Sequence, residues 1–277
     1  MSGIQKMIGV FPLTCNAYLQ TRARGILETW GAHVGDSLIF LGDDDVKVEG
    51  FTQLDCIHPE EAHPGRTENA YEDAPHKLFN ALRRIAYDST YQWCFFCDDD
   101  TYIKVERLMQ YVSSKSTDNV CIYAKNQVGN YPQDESLQYP SGGAGWLVSM
   151  ETLQKIIPHL DSVPMSIPDR WCDVMLGFAL QTAGIPIIDD GVFYDRTPED
   201  EWSEWQWSHG QVNKQPGITY HNLEAPKMRK FHNAYFTSCR DVLLNWCPEY
   251  TEFIHSKPLR VFASLDNLNE EILNRKK

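Results

Sequence analysis

Three consecutive aspartates, Asp98-Asp99-Asp100, end the apolar run Tyr91–Cys97 and have the clearest chemical potential in the chain. Carboxylates at the tip of a strand suit a hard divalent cation; Mg2+ and Mn2+ both take oxygen ligands, and Mn2+ accepts an imidazole as well. Such a cation neutralises a departing diphosphate. Alone, a run of aspartates is more often a solvated loop, and Asp43-Asp44-Asp45, which also follows an apolar strand, is read that way. Tyr139-Pro-Ser-Gly-Gly-Ala-Gly-Trp146 is a turn in which Gly142, Gly143 and Gly145 let the backbone approach a ligand closely. Trp146 is either a stacking surface for a sugar or a core residue. Asp173 falls in the first turn of an expected helix, a place that suits a general base and equally a cap or dipole partner. His221 ends the short strand-like run Gly217–Tyr220; a lone histidine is more often structural than a ligand.

The elements that must position these groups alternate in type. Strands are expected at Met7–Phe11, Ser37–Leu41, Phe51–Ile57, Tyr91–Cys97 and Val120–Ala124. Helices are expected near Thr21–Trp30, Pro75–Tyr87, Val105–Ser113 and Cys172–Ala183, with Leu78, Leu82 and Ile85 on one face of the second. This alternation predicts an α/β fold with a central, mainly parallel sheet. Ligands of such sheets sit beyond the carboxyl ends of the strands, where the triple aspartate lies. A single domain is expected over residues 1–228, with 229–277 as a C-terminal helical extension packed on it.

The chain has 277 residues, 42% hydrophobic and 23% charged, enough to bury a core without disulfides. A formal charge of −13 argues against nucleic acid and anionic membranes as partners. The eight cysteines show neither disulfide-scaffold nor zinc spacing, and Cys94 and Cys97, three apart in one strand, face opposite sides and read as buried free thiols. No signal peptide or apolar stretch of about 20 residues occurs, so the chain itself carries no membrane segment and reads as cytoplasmic.

At Asp98–Tyr102, Ser141–Trp146, Asp173–Gly177 and His221, in that order, the chain resembles the Fringe and core 1 β1,3-galactosyltransferase group of inverting β1,3-glycosyltransferases (the GT31 type). Arg22 with Glu28-Thr-Trp30, and Lys77 on the helix before the aspartates, extend the likeness to roughly residues 5 to 225. The resemblance implies a Rossmann-like GT-A fold, Mn2+ (Mg2+ as an alternative), a UDP-sugar donor and a glycan or glycoprotein acceptor. It makes Asp100 and His221 the metal ligands, Asp98 and Asp99 contacts to ribose, sugar or metal-bound water, and Asp173 the catalytic base. Thr14, Arg22, Lys77, Gly142 and Gly143 would contact the donor. The product would be a β-linkage, β1,3 by likeness, with galactose favoured over the N-acetylglucosamine used by Fringe relatives.

Two features depart from the family: Cys172 stands where it has an acid before the base, and its lumenal anchor has no counterpart here. A domain of this kind without a lumenal signal fits a larger cytosolic or virus-encoded enzyme. The Glu201–Trp207 loop, rich in tryptophan, matches no motif and is read as an acceptor platform, with a capping loop as the alternative. Rival readings are an aspartyl-phosphate phosphohydrolase, disfavoured because its motif belongs on a first strand, and a non-catalytic sugar-nucleotide-binding protein.

Overall fold

The computed structural model describes residues 6–43, 52–55, 74–129, 136–163, 171–201 and 217–246. Its seven-stranded sheet is built around β1 (Lys6–Leu13) and β4 (Tyr91–Asp98), which are parallel neighbours, with β2 (Phe40–Gly42) and β3 (Gln53–Asp55) continuing in parallel beyond β1. On the other side of β4, β9 (Trp146–Ser149) runs antiparallel to both β4 and β6 (Ile122–Ala124), and β10 (Ile187–Ile188) is parallel to β6. The order β10-β6-β9-β4-β1-β2-β3 makes an α/β fold with a mixed, mainly parallel sheet.

β4 is apolar along its length because both of its faces are covered, the usual reason for a continuous hydrophobic strand. Cys94 and Phe96 face the cluster that holds Leu78, Leu82 and Ile85 of α2 (Ala74–Asp88), Leu153 of α4 (Met150–Ile156) and Val174 of α5 (Cys172–Ala183). Trp93, Phe95 and Cys97 face the opposite cluster, with Leu19, Ile26, Leu108 of α3 (Val105–Ser113) and Phe231 of α7 (Ala225–Trp246). Cys94 and Cys97 therefore lie on opposite faces, both buried and free. α7 starts before residue 229 and carries Met228, Phe231 and Tyr235 into the core.

Three expected elements differ. The helix expected over Thr21–Trp30 is a broken series: a 3-10 turn at Asn16–Tyr18, a wider turn at Leu19–Ala23, α1 (Arg24–Leu27) and a second 3-10 turn at Trp30–His33. Thr29 ends α1 by donating its hydroxyl back to the Gly25 carbonyl at 2.7 Å, a local competitor of helix continuation. The second strand begins later than Ser37, since Gly35–Ser37 forms a 3-10 turn before β2. β6 likewise starts at Ile122, after a bend at Cys121. Asp44, Asp45 and residues 202–216, which contain most of the tryptophan-rich loop after α6 (Pro198–Glu201), lie outside the described residues.

Two small antiparallel pairs complete the scaffold: β7 (Asn126–Val128) with β8 (Gln138–Pro140), and β5 (Tyr102–Ile103) with β11 (Thr219–Tyr220). Register in the second sets Tyr220 opposite Tyr102, which brings His221 beside the aspartates. Lys104 is fully buried behind this pair, its ammonium 5.1 Å from the Tyr220 ring and 5.3 Å from that of Tyr235 on α7. No helix among the described residues is long and apolar enough to cross a membrane.

α7 docks partly through histidines. His232 Nδ1 lies 3.0 Å from the Tyr102 hydroxyl, and the His33 and His232 rings are 5.7 Å apart. Burial, with some help from His33, pushes His232 down to about 4, and burial also lowers His33. A histidine depressed when folded takes up its proton mainly in the unfolded chain. Its contribution is thus complete above about pH 6.5 and is lost as pH falls toward about 4. Urea unfolding at stepped pH should show stability falling across that window, by at most about 1.4 kcal/mol per pH unit for each histidine. His232→Asn should flatten the slope; an unchanged slope would remove His232 as its source.

Candidate active site

The carboxyl ends of β1 and β4 are in register, Leu13 beside Asp98, so the chain leaving β1 runs along the aspartate turn. Thr14 donates its hydroxyl to Asp99 Oδ2 at 2.7 Å. Arg22 reaches back from the broken helical stretch, its Nη1 3.4 Å from Asp99 and 3.3 Å from Asp100, with the guanidinium 4.4 Å above the Tyr18 ring. The turn itself is pinned: the Thr101 carbonyl accepts from Trp30 Nε1 at 3.0 Å, and the Thr101 hydroxyl donates to the Gly143 carbonyl at 2.8 Å. Leu223 N–H donates to the Asp100 carbonyl at 2.9 Å, anchoring the segment that carries His221.

A cleft of about 320 Å³ opens over this edge. Thr14, Arg22, Lys77, Asp98, Asp99, Asp100, Gly142, Asp173 and His221 all line it; Gly143 does not. Asp98, Asp100 and His221 offer ligand atoms within 4.8 Å of one another, so Asp98 joins the two residues expected to hold a cation. His221 Nε2 is 3.1 Å from Asp100 Oδ1 and 3.8 Å from Asp98 Oδ2. Asp100 Oδ1 is buried and has no hydrogen-bond donor directed at it. A buried carboxylate oxygen in that state is costly, and its nearest polar neighbour is itself a metal-ligating nitrogen. Two carboxylates and an imidazole, with an orphaned oxygen among them, fit a divalent cation such as Mn2+.

The four cleft aspartates are held differently. Burial raises Asp98 to about 7; His221 pulls against that, while Asp100, Asp173 and Asp99 add to the rise. Burial lifts Asp99 to about 6 against the hydrogen bond from Thr14. For Asp100 burial is outweighed by His221 and Arg22, which hold it below the ordinary range. Burial also lowers His221, but Asp100 and Asp98 overcome it and raise the imidazole. Asp173 is raised by burial, opposed by the Gly142 and Val174 N–H groups, which donate to its two oxygens at 3.2 and 2.8 Å.

Other residues support the cleft, and Lys77 does so while also lining it. Lys77 is buried, its ammonium 2.6 Å from Asp43 and 2.7 Å from the Thr14 carbonyl, while the other Asp43 oxygen accepts from Asn16 N–H at 2.9 Å. Asp43 is therefore not part of a solvated run: it is the counter-ion of a buried lysine, and the pair joins the loops after β1 and β2 to α2. Gly143 gives close approach to the His221 ring, which a Cβ there would overlap. Gly145 has φ +78°, and a Cβ would strike Phe95. Trp146 is a core residue, stacked on Phe96 with ring centroids 4.3 Å apart, so it offers no sugar surface.

The cleft also contains Tyr18, Cys15, Trp171, Cys172 and Asn222, which were not expected from the sequence. Tyr18 had a readable signal, since it precedes Arg22 by one helical turn. Asn222, at φ 59°, is the turn residue that follows His221. Cys172 was noted only as a departure; burial, then Asp173 and Asp98, push its thiol well up, which keeps it a neutral wall.

Comparison with known proteins places the family and the fold. Residues 7–250 match the Fringe-like family. Mouse chondroitin sulfate synthase 3 is 23% identical over 192 residues, 66% of this chain and 21% of the synthase. Human chondroitin sulfate glucuronyltransferase is 26% identical over 61% of this chain and 21% of its own length, and mouse beta-1,3-glucosyltransferase 23% over 68% and 36%. The chain thus spans between about a fifth and about a third of the curated relatives it matches. The galactosyltransferase LgtC, solved with donor and acceptor sugar analogues, superposes with a TM-score of 0.51 at 13% identity, covering 83% of this chain and 96% of that one, a likeness of fold. With the family match running over most of its length, and with a GT-A sheet and an acidic cleft to go with it, the chain belongs to the Fringe-like family of glycosyltransferases.

Proposed function

We propose that the chain is an inverting, metal-dependent transferase that moves a hexose from a UDP-sugar to a hydroxyl of a glycan acceptor, forming a β-linkage, β1,3 by family likeness. The observation that carries this reading is the placement of Asp173 in the same cleft as Asp98, Asp100 and His221. A divalent cation held by the latter three would supply Lewis-acid stabilisation of the departing diphosphate. Arg22 would add a second positive charge for the phosphate oxygens. Asp173 would accept the proton of the acceptor hydroxyl while its oxygen bonds to the anomeric carbon and the bond from that carbon to the UDP oxygen breaks. Two of the carboxylate's lone-pair positions are taken by Gly142 and Val174 N–H, which fix its orientation and leave others for that proton. Asp99 and Thr14 would frame the nucleotide, with Lys77 and Asp43 holding the Thr14 loop in place.

A neutral hexose suits the cleft better than a uronate, because the aspartates already crowd it and its lysine is committed to Asp43. Galactose is the first donor to try, although the relatives include a glucuronyltransferase and a glucosyltransferase. UDP release from a panel of UDP-sugars, with and without Mn2+, tests the reading; consumption of none of them would end it.

Four outcomes are expected in that assay. His221→Ala should raise the Mn2+ concentration for half-maximal rate by at least about 10-fold to 100-fold, while unfolding behaviour changes little; an unchanged metal requirement would remove His221 from the ligand set. Asp173→Asn should bind donor normally and lose about 10²- to 10⁴-fold in transfer. Wild-type transfer should fall as pH drops, with a midpoint above the ordinary aspartate range, since the base works only when ionised and burial raises it. Gly143→Ala should displace the His221 ring and copy the metal defect of His221→Ala; normal Mn2+ dependence would show that the ring is placed by other contacts.

A further inference from the structure

Trp171 is more than half exposed, at 53%, and lines the cleft. The other large hydrophobic side chains exposed among the described residues, Met7, Tyr87, Val120, Val128 and Ile188, are all outside the cleft lining. The fold uses the backbone of Trp171, whose extended conformation (φ −78°, ψ 131°) starts α5 and whose carbonyl accepts from Met175 N–H at 3.0 Å. Among the described residues no ring stacks on its indole, which is half open to water although burying it would be favourable. Trp171 also precedes Asp173 by two residues at the same helix start, so the two side chains spring from neighbouring backbone positions and line one cleft.

Resting on the transferase reading above, we propose that Trp171 is the acceptor platform and that the acceptor it selects is a pyranose, the end of a glycan chain, as opposed to a peptide hydroxyl. A pyranose has one face of C–H bonds and an edge of hydroxyls. The C–H face is complementary to an indole ring, and the indole N–H can donate to a ring hydroxyl. A sugar stacked on Trp171 would lie in the cleft that also holds Asp173. A serine or threonine side chain has a single hydroxyl and no flat apolar face, so it would gain nothing from this surface. The remaining cleft side chains are mostly charged or polar and orient donor and metal, whereas Trp171 adds the apolar contact that a neutral saccharide needs.

The test compares wild type with Trp171→Ala, Trp171→Leu and Trp171→Phe, using methyl hexopyranosides, short oligosaccharides and a Ser/Thr-containing peptide as acceptors. Trp171→Ala should raise the KM for the saccharide about tenfold while the donor KM moves by about twofold or less, and Trp171→Phe should recover most of the loss where Trp171→Leu does not. An unchanged saccharide KM in Trp171→Ala, equal rescue by Leu and Phe, or transfer to the peptide in preference to every saccharide would each overturn the proposal. These failures leave donor consumption intact and so differ from failure of the transferase reading, in which wild type releases no UDP from any donor and both ideas fall together.

Discussion

Everything around the cleft answers one electrostatic constraint: four carboxylates, Asp98, Asp99, Asp100 and Asp173, converge at the end of a strand buried on both faces. Charges in such a place are expensive unless each has a partner. Asp99 has Thr14 and Arg22, Asp100 has Arg22 and His221, and Asp173 has two backbone N–H groups. Asp98 is left with only the His221 ring that it shares with Asp100, and the Asp100 oxygen nearest that ring receives no well-aligned hydrogen bond, so a cation there would complete the balance. The site is therefore strained toward binding positive charge, and its neighbours are arranged to keep that demand confined to one spot.

That arrangement draws on segments far apart in sequence. The turn bearing Gly143 is tied to Thr101 and, through the Thr219 hydroxyl on the Ala144 carbonyl at 2.6 Å, to the strand that delivers His221. Lys77 and Asp43 fasten two further loops from below. Each tie is a buried hydrogen bond or ion pair of the sort that is costly to leave half made, so the loops are held as a set.

How much of this was legible follows from which residues carry local signals. α3 and α5 were readable to their ends because their apolar spacing and flanking residues agree with the packing they adopt. The region from Asn16 to His33 was not: its composition suits a helix, but Thr29 and the demand of Trp30 for the Thr101 carbonyl break it. Asp98 to Asp100, Asp173 and His221 sit in the motifs that carry the family resemblance, and the fold brings them to one cleft. The role of Gly143 depends on an imidazole 78 positions downstream and that of Asp43 on a lysine in another element, contacts that local patterns do not encode. Trp146 shows the converse: an aromatic after a glycine turn looks like a ligand surface until the sheet buries it against Phe96.

The reversal of β9 sets where its two connections run. In a wholly parallel sheet, the ligand edge is built by the chain as it leaves each strand. Because β9 is antiparallel to β4, with Trp146 paired to Phe96, the chain enters β9 at the ligand edge and leaves it at the opposite one. The segment 141–145 is thus fixed by the site at one end of β9, whereas α4 and the 3-10 turn Ile157–Ser162 emerge at the far end. One strand thereby divides its two connections into an entrance whose course is set by the site and an exit that leads away from it into the core packing of α4.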